Sequence, residues 1–240
     1  MATGEDAMIP GGWLLPPPDL AEGAKQKAME ALRTDGRHAA QHRLVRFYDA
    51  DGDYAGASFA QLGPIDTNDI TPADLLATML LSVRIGPGAA RRILDRGDTR
   101  DVLLRKLRDL PDCDLANAGS PVLTAMAALY EAVKQALSAD TVKNPNAWVT
   151  ASKLCARKRP DLFPVRDPEV CDCLGLTPWR NYQVDWQIFR SLIGDSDIIA
   201  AIDLMSRATV AAAAGRRLQA DQSRLRLLDA AIWTYATFLR

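Results

Sequence analysis

Between Thr150 and Val170 five cations, Lys153, Arg157, Lys158, Arg159 and Arg166, precede the carboxylate Asp167. Asp161 is the only other acid from Thr150 to Arg166. The whole chain has a formal net charge of −1, so this basic run is a local concentration. Such a run predicts an anion-binding surface. A carboxylate beside it could do chemistry on the bound anion. Two blander roles compete. The cations could form an ordinary solvated helix face, and an aspartate after a Pro-bounded turn can cap the next helix.

Ile85-Gly86-Pro87-Gly88-Ala89-Ala90 is a second candidate. A Gly-rich turn that opens a helix presents free backbone N–H groups and the positive end of the helix dipole, which suits a phosphate. Arg91 and Arg92 follow it. The alternative is a tight helix–helix corner at Gly86 and Gly88. Trp148, Trp179 and Tyr182 flank the basic segment, and such aromatics ordinarily fill a core. Asp49-Ala50-Asp51-Gly52-Asp53 resembles the start of a calcium loop, but the position of the bidentate Glu is Ala60, so a plain turn is expected.

The elements that must carry these residues are mostly helical. Thr71-Pro72-Ala73-Asp74 reads as an N-cap, a first-turn Pro and an early acid. Leu75, Leu76, Met79, Leu80 and Val83 continue it as one apolar face. Helices are expected at 20–33, 89–95, 100–109, 121–138, 148–158, 184–193, 197–214 and 221–238. Residues 1–19, with Gly11, Gly12 and Pro16-Pro17-Pro18, read as an irregular arm. The weak alternation from Leu44 to Phe59 predicts a small β-hairpin near residues 45–60. The fold class is therefore mainly α. A single helical domain is expected over 20–240, with two helical lobes and a cleft between them as the other arrangement.

Composition bounds the remainder. The chain has 240 residues, 48% hydrophobic and 25% charged, enough for a full core. Aromatics are only 6%, which favours helices over sheets. No apolar run reaches the roughly 18–20 residues that span a bilayer, and no secretory signal is recognisable. Four cysteines without CxxC spacing and two histidines argue against a metal centre, so no metal or cofactor is expected. Reduced thiols point to a cytoplasmic protein, and a monomer is expected.

From Asp74 to Val170 the chain resembles, in divergent form, the helix-hairpin-helix (HhH-GPD) DNA glycosylase superfamily. Leu76-Ala77-Thr78-Met79-Leu80-Leu81-Ser82 is similar to the family's early helix, which ends in a leucine–leucine–serine stretch. Arg84 stands where the family places a DNA-penetrating polar residue. Thr150-Ala151 matches a threonine–alanine that opens a family helix, and Asp167 follows Thr150 by 17 positions, the spacing of the catalytic aspartate. Val149 occupies the position of the lyase lysine. Asn144-Pro145-Asn146-Ala147 stands in place of the Gly-x-Gly hairpin.

The resemblance thus implies an HhH-GPD-like helical bundle that binds double-stranded DNA, with at most monofunctional glycosylase activity and no lyase activity. It assigns catalysis to Asp167, which would stabilise positive charge on the sugar and orient the attacking water, and duplex contact to Arg84, Gly86, Gly88, Lys153, Arg157, Lys158, Arg159 and Arg166. It offers Trp148, Trp179 and Tyr182 to a base. The chain also resembles a small uncharacterised bacterial family sharing Thr150–Leu154, Ala156–Pro160, Pro164-Val165 and Asp167, which implies no function. The competing readings are a non-catalytic DNA-binding module and a protein-interaction domain.

Overall fold

The computed structural model of the protein describes residues 9–138 and 147–239. Among them lie twelve α-helices. In chain order these are α1 (Pro18–Leu32), α2 (Ala40–Tyr48), α3 (Gly56–Gln61), α4 (Pro72–Leu80), α5 (Pro87–Leu94), α6 (Asp98–Arg108), α7 (Ser120–Leu137), α8 (Trp148–Lys158), α9 (Pro168–Cys173), α10 (Tyr182–Gly194), α11 (Ser196–Ala212) and α12 (Arg224–Phe238). A short 3-10 turn spans Leu115–Asn117. The protein is mainly helical, as its composition predicts.

The helices divide into two compact units. The first comprises Leu62–Val165 with the segment ending at Trp13, and holds α4 to α8. The second comprises Leu14–Gln61 and Arg166–Arg240, and holds α1 to α3 and α9 to α12. The second unit is discontinuous in sequence.

In the first unit α7 is the hub, with α5, α6 and α8 packed on it. Leu123, Met126, Tyr130 and Val133 recur at helical spacing along α7 and are buried. Ile93 of α5, Leu103 and Leu107 of α6, and Leu154 of α8 complete this core. In the second unit α1 presents the small buried stripe Ala24, Ala28 and Ala31. Helix α2 packs on α11 and α12, burying Leu44 and Tyr48 against elements that contribute Ile202, Met205, Leu228 and Ile232 to the core.

The expected hairpin near residues 45–60 is not formed. That stretch holds the end of α2, a turn at Asp49–Asp53, and α3. Ala40, Leu44, Phe47 and Tyr48 are buried together, a spacing that only a helix puts on one face. Gly56 lets α3 approach α2: a Cβ there would come within 2.5 Å of the Phe47 ring and carbonyl. The β feature in this region is a single bridge, Asp49 with Leu218. Two acids of the turn are paired: Arg216 reaches Asp49 at 2.9 Å and Arg217 reaches Asp51 at 2.8 Å.

Candidate nucleic-acid interface

Helix α4 is built and held by charge. Thr71 and Asp74 form a reciprocal capping box at its N-terminus: the Asp74 N–H donates to Thr71 Oγ1, and Asp74 Oδ2 accepts from the Thr71 N–H at 2.9 Å. The same carboxylate is the counter-ion of α8. Arg157 Nε donates to Asp74 Oδ1 at 3.1 Å, and Lys158 Nζ donates to Asp74 Oδ2 at 2.7 Å. All three side chains are essentially inaccessible to solvent. Burial pulls the Lys158 ammonium below its ordinary range, against the attraction of Asp74.

At the other end of α4, Lys153 Nζ donates to the Leu81 carbonyl at 2.8 Å, satisfying the helix's C-cap. Helix α8 therefore grips α4 at both ends, the two running antiparallel. Related ties recur nearby. Arg159 donates to the Leu107 carbonyl in the last turn of α6, and Arg92 donates to the Ala136 and Ser138 carbonyls at the end of α7. Burial lowers the Arg159 guanidinium below its usual value.

These contacts correct the expected anion-binding surface. Residues Ala151 to Lys158 are all buried, so Lys153, Arg157 and Lys158 are neither a solvated face nor presented to a backbone phosphate. Arg159 is half-buried against α6. Arg166 belongs to the second unit and is buried, its Nε donating to Asp185 Oδ2. Burial raises the Asp185 carboxyl above its ordinary range, opposed by the Arg166 charge. The sequence shows the cations but not the distant carboxylates that draw them inside.

What α4 does present is apolar. Leu76, Met79 and Leu80 are 51%, 39% and 44% exposed on its outer side. The chain then turns at Ser82, which takes φ +59°, a left-handed conformation that a non-glycine residue adopts with strain. Arg84 follows and is exposed. Gly86 is the extended N-cap of α5, with φ −73°, so the corner bends at Ser82 and not at the glycines. Arg91 is also exposed. Arg84, Gly86 and Gly88 thus follow the apolar end of α4 in the chain, while the buried cations of α8 hold α4 at both ends. The exposed leucines were written in the sequence as part of one apolar face, and nothing there distinguished those left in solvent.

Asp167 lies in the second unit. It is the N-cap of α9, its Oδ1 accepting the Glu169 N–H at 3.1 Å, and it is 9% exposed. The capping role weighed from the Pro-bounded turn is therefore real. Tyr182 packs its ring on Trp186 at 4.7 Å between centroids. Trp179 is half-buried in the turn after α9. Trp148, half-buried at the start of α8 in the first unit, accepts the Tyr130 hydroxyl on its carbonyl. The Asn144–Ala147 hairpin position lies outside the described residues except for Ala147.

Among the described residues no group of three or more His, Cys, Asp or Glu side chains is placed to hold a metal ion, and no helix is long and apolar enough to cross a membrane. None of the four cysteines is in a disulfide. No curated protein and no solved structure matches the chain. Residues 40–236, most of the chain, match DUF6308, and the protein belongs to that family of unknown function.

Proposed function

We propose that the first unit is a duplex-DNA-binding module in which the end of α4 is the wedge and Arg84 its polar tip. The observation that carries this reading is the juxtaposition of exposed Leu76, Met79 and Leu80 with a strained turn and an exposed arginine. Proteins that kink DNA press apolar side chains between base steps while arginines follow the groove. A wedge must be stiff to unstack bases, and α4 is fixed at both ends by buried charge-assisted hydrogen bonds. The resemblance to the HhH-GPD superfamily supports the same assignment, because it places the DNA-penetrating residue at Arg84. Phosphate contact falls to the exposed Arg84 and Arg91 and to the first turn of α5.

The non-catalytic reading is favoured over the glycosylase reading because Asp167 is 9% exposed and serves as the N-cap of α9. Fluorescence anisotropy with a labelled duplex at low salt tests the proposal. Binding should weaken steeply with salt, and Leu80→Glu should weaken it by about tenfold or more, since a charge would replace the wedge. Absence of binding by the wild-type chain at low salt would sink the proposal. Base release from damaged duplexes, lost in Asp167→Asn while binding persists, would restore the glycosylase reading.

A further inference from the structure

The second unit contains a cavity of about 360 Å³ that plays no part in the proposed DNA interface. Its volume lies within the roughly 300–1,000 Å³ typical of small-molecule sites. The floor is apolar and buried: Leu44 and the Tyr48 ring from α2, and Leu227 from α12. Tyr48 is fixed there because its hydroxyl donates to Asp221 Oδ2 at 3.0 Å.

The wall carries uncharged polar side chains: Gln61 ends α3, Ser206 lies on α11, and Gln219 and Gln222 lie on the segment leading to α12, alongside the apolar Leu218 and Ala220. Gln61 and Gln222 are exposed and Ser206 and Gln219 half-buried, and among the described residues none of these four polar side chains makes a hydrogen bond to another protein group. Gln219 is nevertheless held in place. Its N–H donates to the Tyr48 carbonyl at 3.0 Å, and the Ala50 N–H donates to the Arg217 carbonyl at 2.9 Å. Among the described residues no Asp, Glu, Lys, Arg or His lines the cavity.

This lining selects by chemistry. A carboxamide offers a donor and an acceptor side by side, so it pairs with another amide edge. An apolar floor accepts a flat ring face. A charged ligand would shed water and find no counter-charge. We propose that the cavity binds an uncharged ring amide, its ring on Leu44, Tyr48 and Leu227 and its amide edge on the glutamines. The proposal is independent of DNA binding, and either can fail without the other.

The test is methyl-detected NMR on the full-length protein with three neutral ring amides, nicotinamide, uracil and 2-piperidone, and with nicotinate as the charged counterpart of the first. At least one amide should shift the methyl signals of Leu44, Leu218 and Leu227 in a saturable way. Nicotinate should bind more weakly than nicotinamide by about tenfold or more, the effect of burying an uncompensated charge. The double variant Gln219→Leu/Gln222→Leu should weaken the amide by about tenfold, as expected for lost hydrogen bonds. Ala220→Trp should block binding by filling the site. If Ala220→Trp fails to fold, the glutamine pair decides. No saturable shift with any of the three amides, equal binding of nicotinate, or unchanged binding in the glutamine variant would each overturn the assignment.

Discussion

Lys158 Nζ donates to Asp74 Oδ2 across 2.7 Å, joining the last turn of α8 to the first turn of α4 through a carboxylate that is already a helix cap. One buried acid thus serves a local and a long-range purpose. The two purposes separate by mutation. Asp74→Ala deprives Arg157 and Lys158 of their shared counter-charge and should cost about 3–5 kcal/mol, the range for breaking a buried ion pair. Thr71→Ala removes only the cap hydroxyl and should cost about 1 kcal/mol. Urea unfolding of both variants checks this, and equal losses would mean that the ion pairs add nothing beyond the cap.

Lys153 and Arg84 should differ in what their loss does to the salt dependence of binding. Lys153→Met removes the bond to the Leu81 carbonyl and should cost about 1.5–3 kcal/mol of stability, leaving the salt dependence of duplex binding as it was. Arg84→Ala should leave stability within about 0.5 kcal/mol and reduce the slope of log affinity against log salt by about one. Anisotropy titrations at several salt concentrations distinguish the two. A flattened slope in Lys153→Met would return that side chain to the phosphate role.

Asp185 should make stability fall, not rise, with increasing pH. Burial raises its folded pKa above the ordinary carboxylate value of 3.8, the Arg166 charge only partly offsetting it. Between 3.8 and the raised value, the folded protein keeps a proton that the unfolded chain has released. The stability due to Asp185 is therefore fully present below 3.8 and is lost as pH rises through the folded pKa. The stability difference between wild type and Asp185→Asn, measured by denaturant unfolding across acidic pH, should move against wild type over that window and level off above it. A difference that grows in favour of wild type as pH rises would reverse the sign.

Gly56 marks the closest approach of α3 to α2. Gly56→Ala places a methyl group 2.5 Å from the Phe47 ring and its carbonyl oxygen. The carbonyl belongs to the backbone of α2 and cannot swing away, so the substitution should destabilise by about 1–3 kcal/mol. Thermal unfolding would show it as a lowered Tm. An unchanged Tm would mean that α3 can shift outward freely.

Local signals carried most of the fold. Thr71-Pro72-Ala73-Asp74 announces its capping box because all the participants lie within one turn. The stretch from Leu44 to Phe59 misled because short apolar runs fit both the helical and the strand period, and only packing on α11 and α12 decides. The basic run of α8 was visible, but its meaning was not. Arg157 pairs with an acid 83 positions away, and no spacing within the run reveals that. Asp167 was legible as a cap and as a carboxylate after a turn, which is why both roles had to be weighed. The exposed end of α4 escaped because sequence shows which residues are apolar, not which of them the neighbouring helices leave uncovered.

The division of the chain also sets an order of events. The helices α4 to α8 of the first unit form one uninterrupted run, whereas the second unit is interrupted between Gln61 and Arg166. During synthesis the first unit gains all its helices while α1, α2 and α3 still await α9 to α12. For that interval the apolar faces of α1 and α2 lack their final partners, a state open to aggregation or to chaperone capture. The insertion makes the earlier half of the second unit the most vulnerable part of the nascent chain.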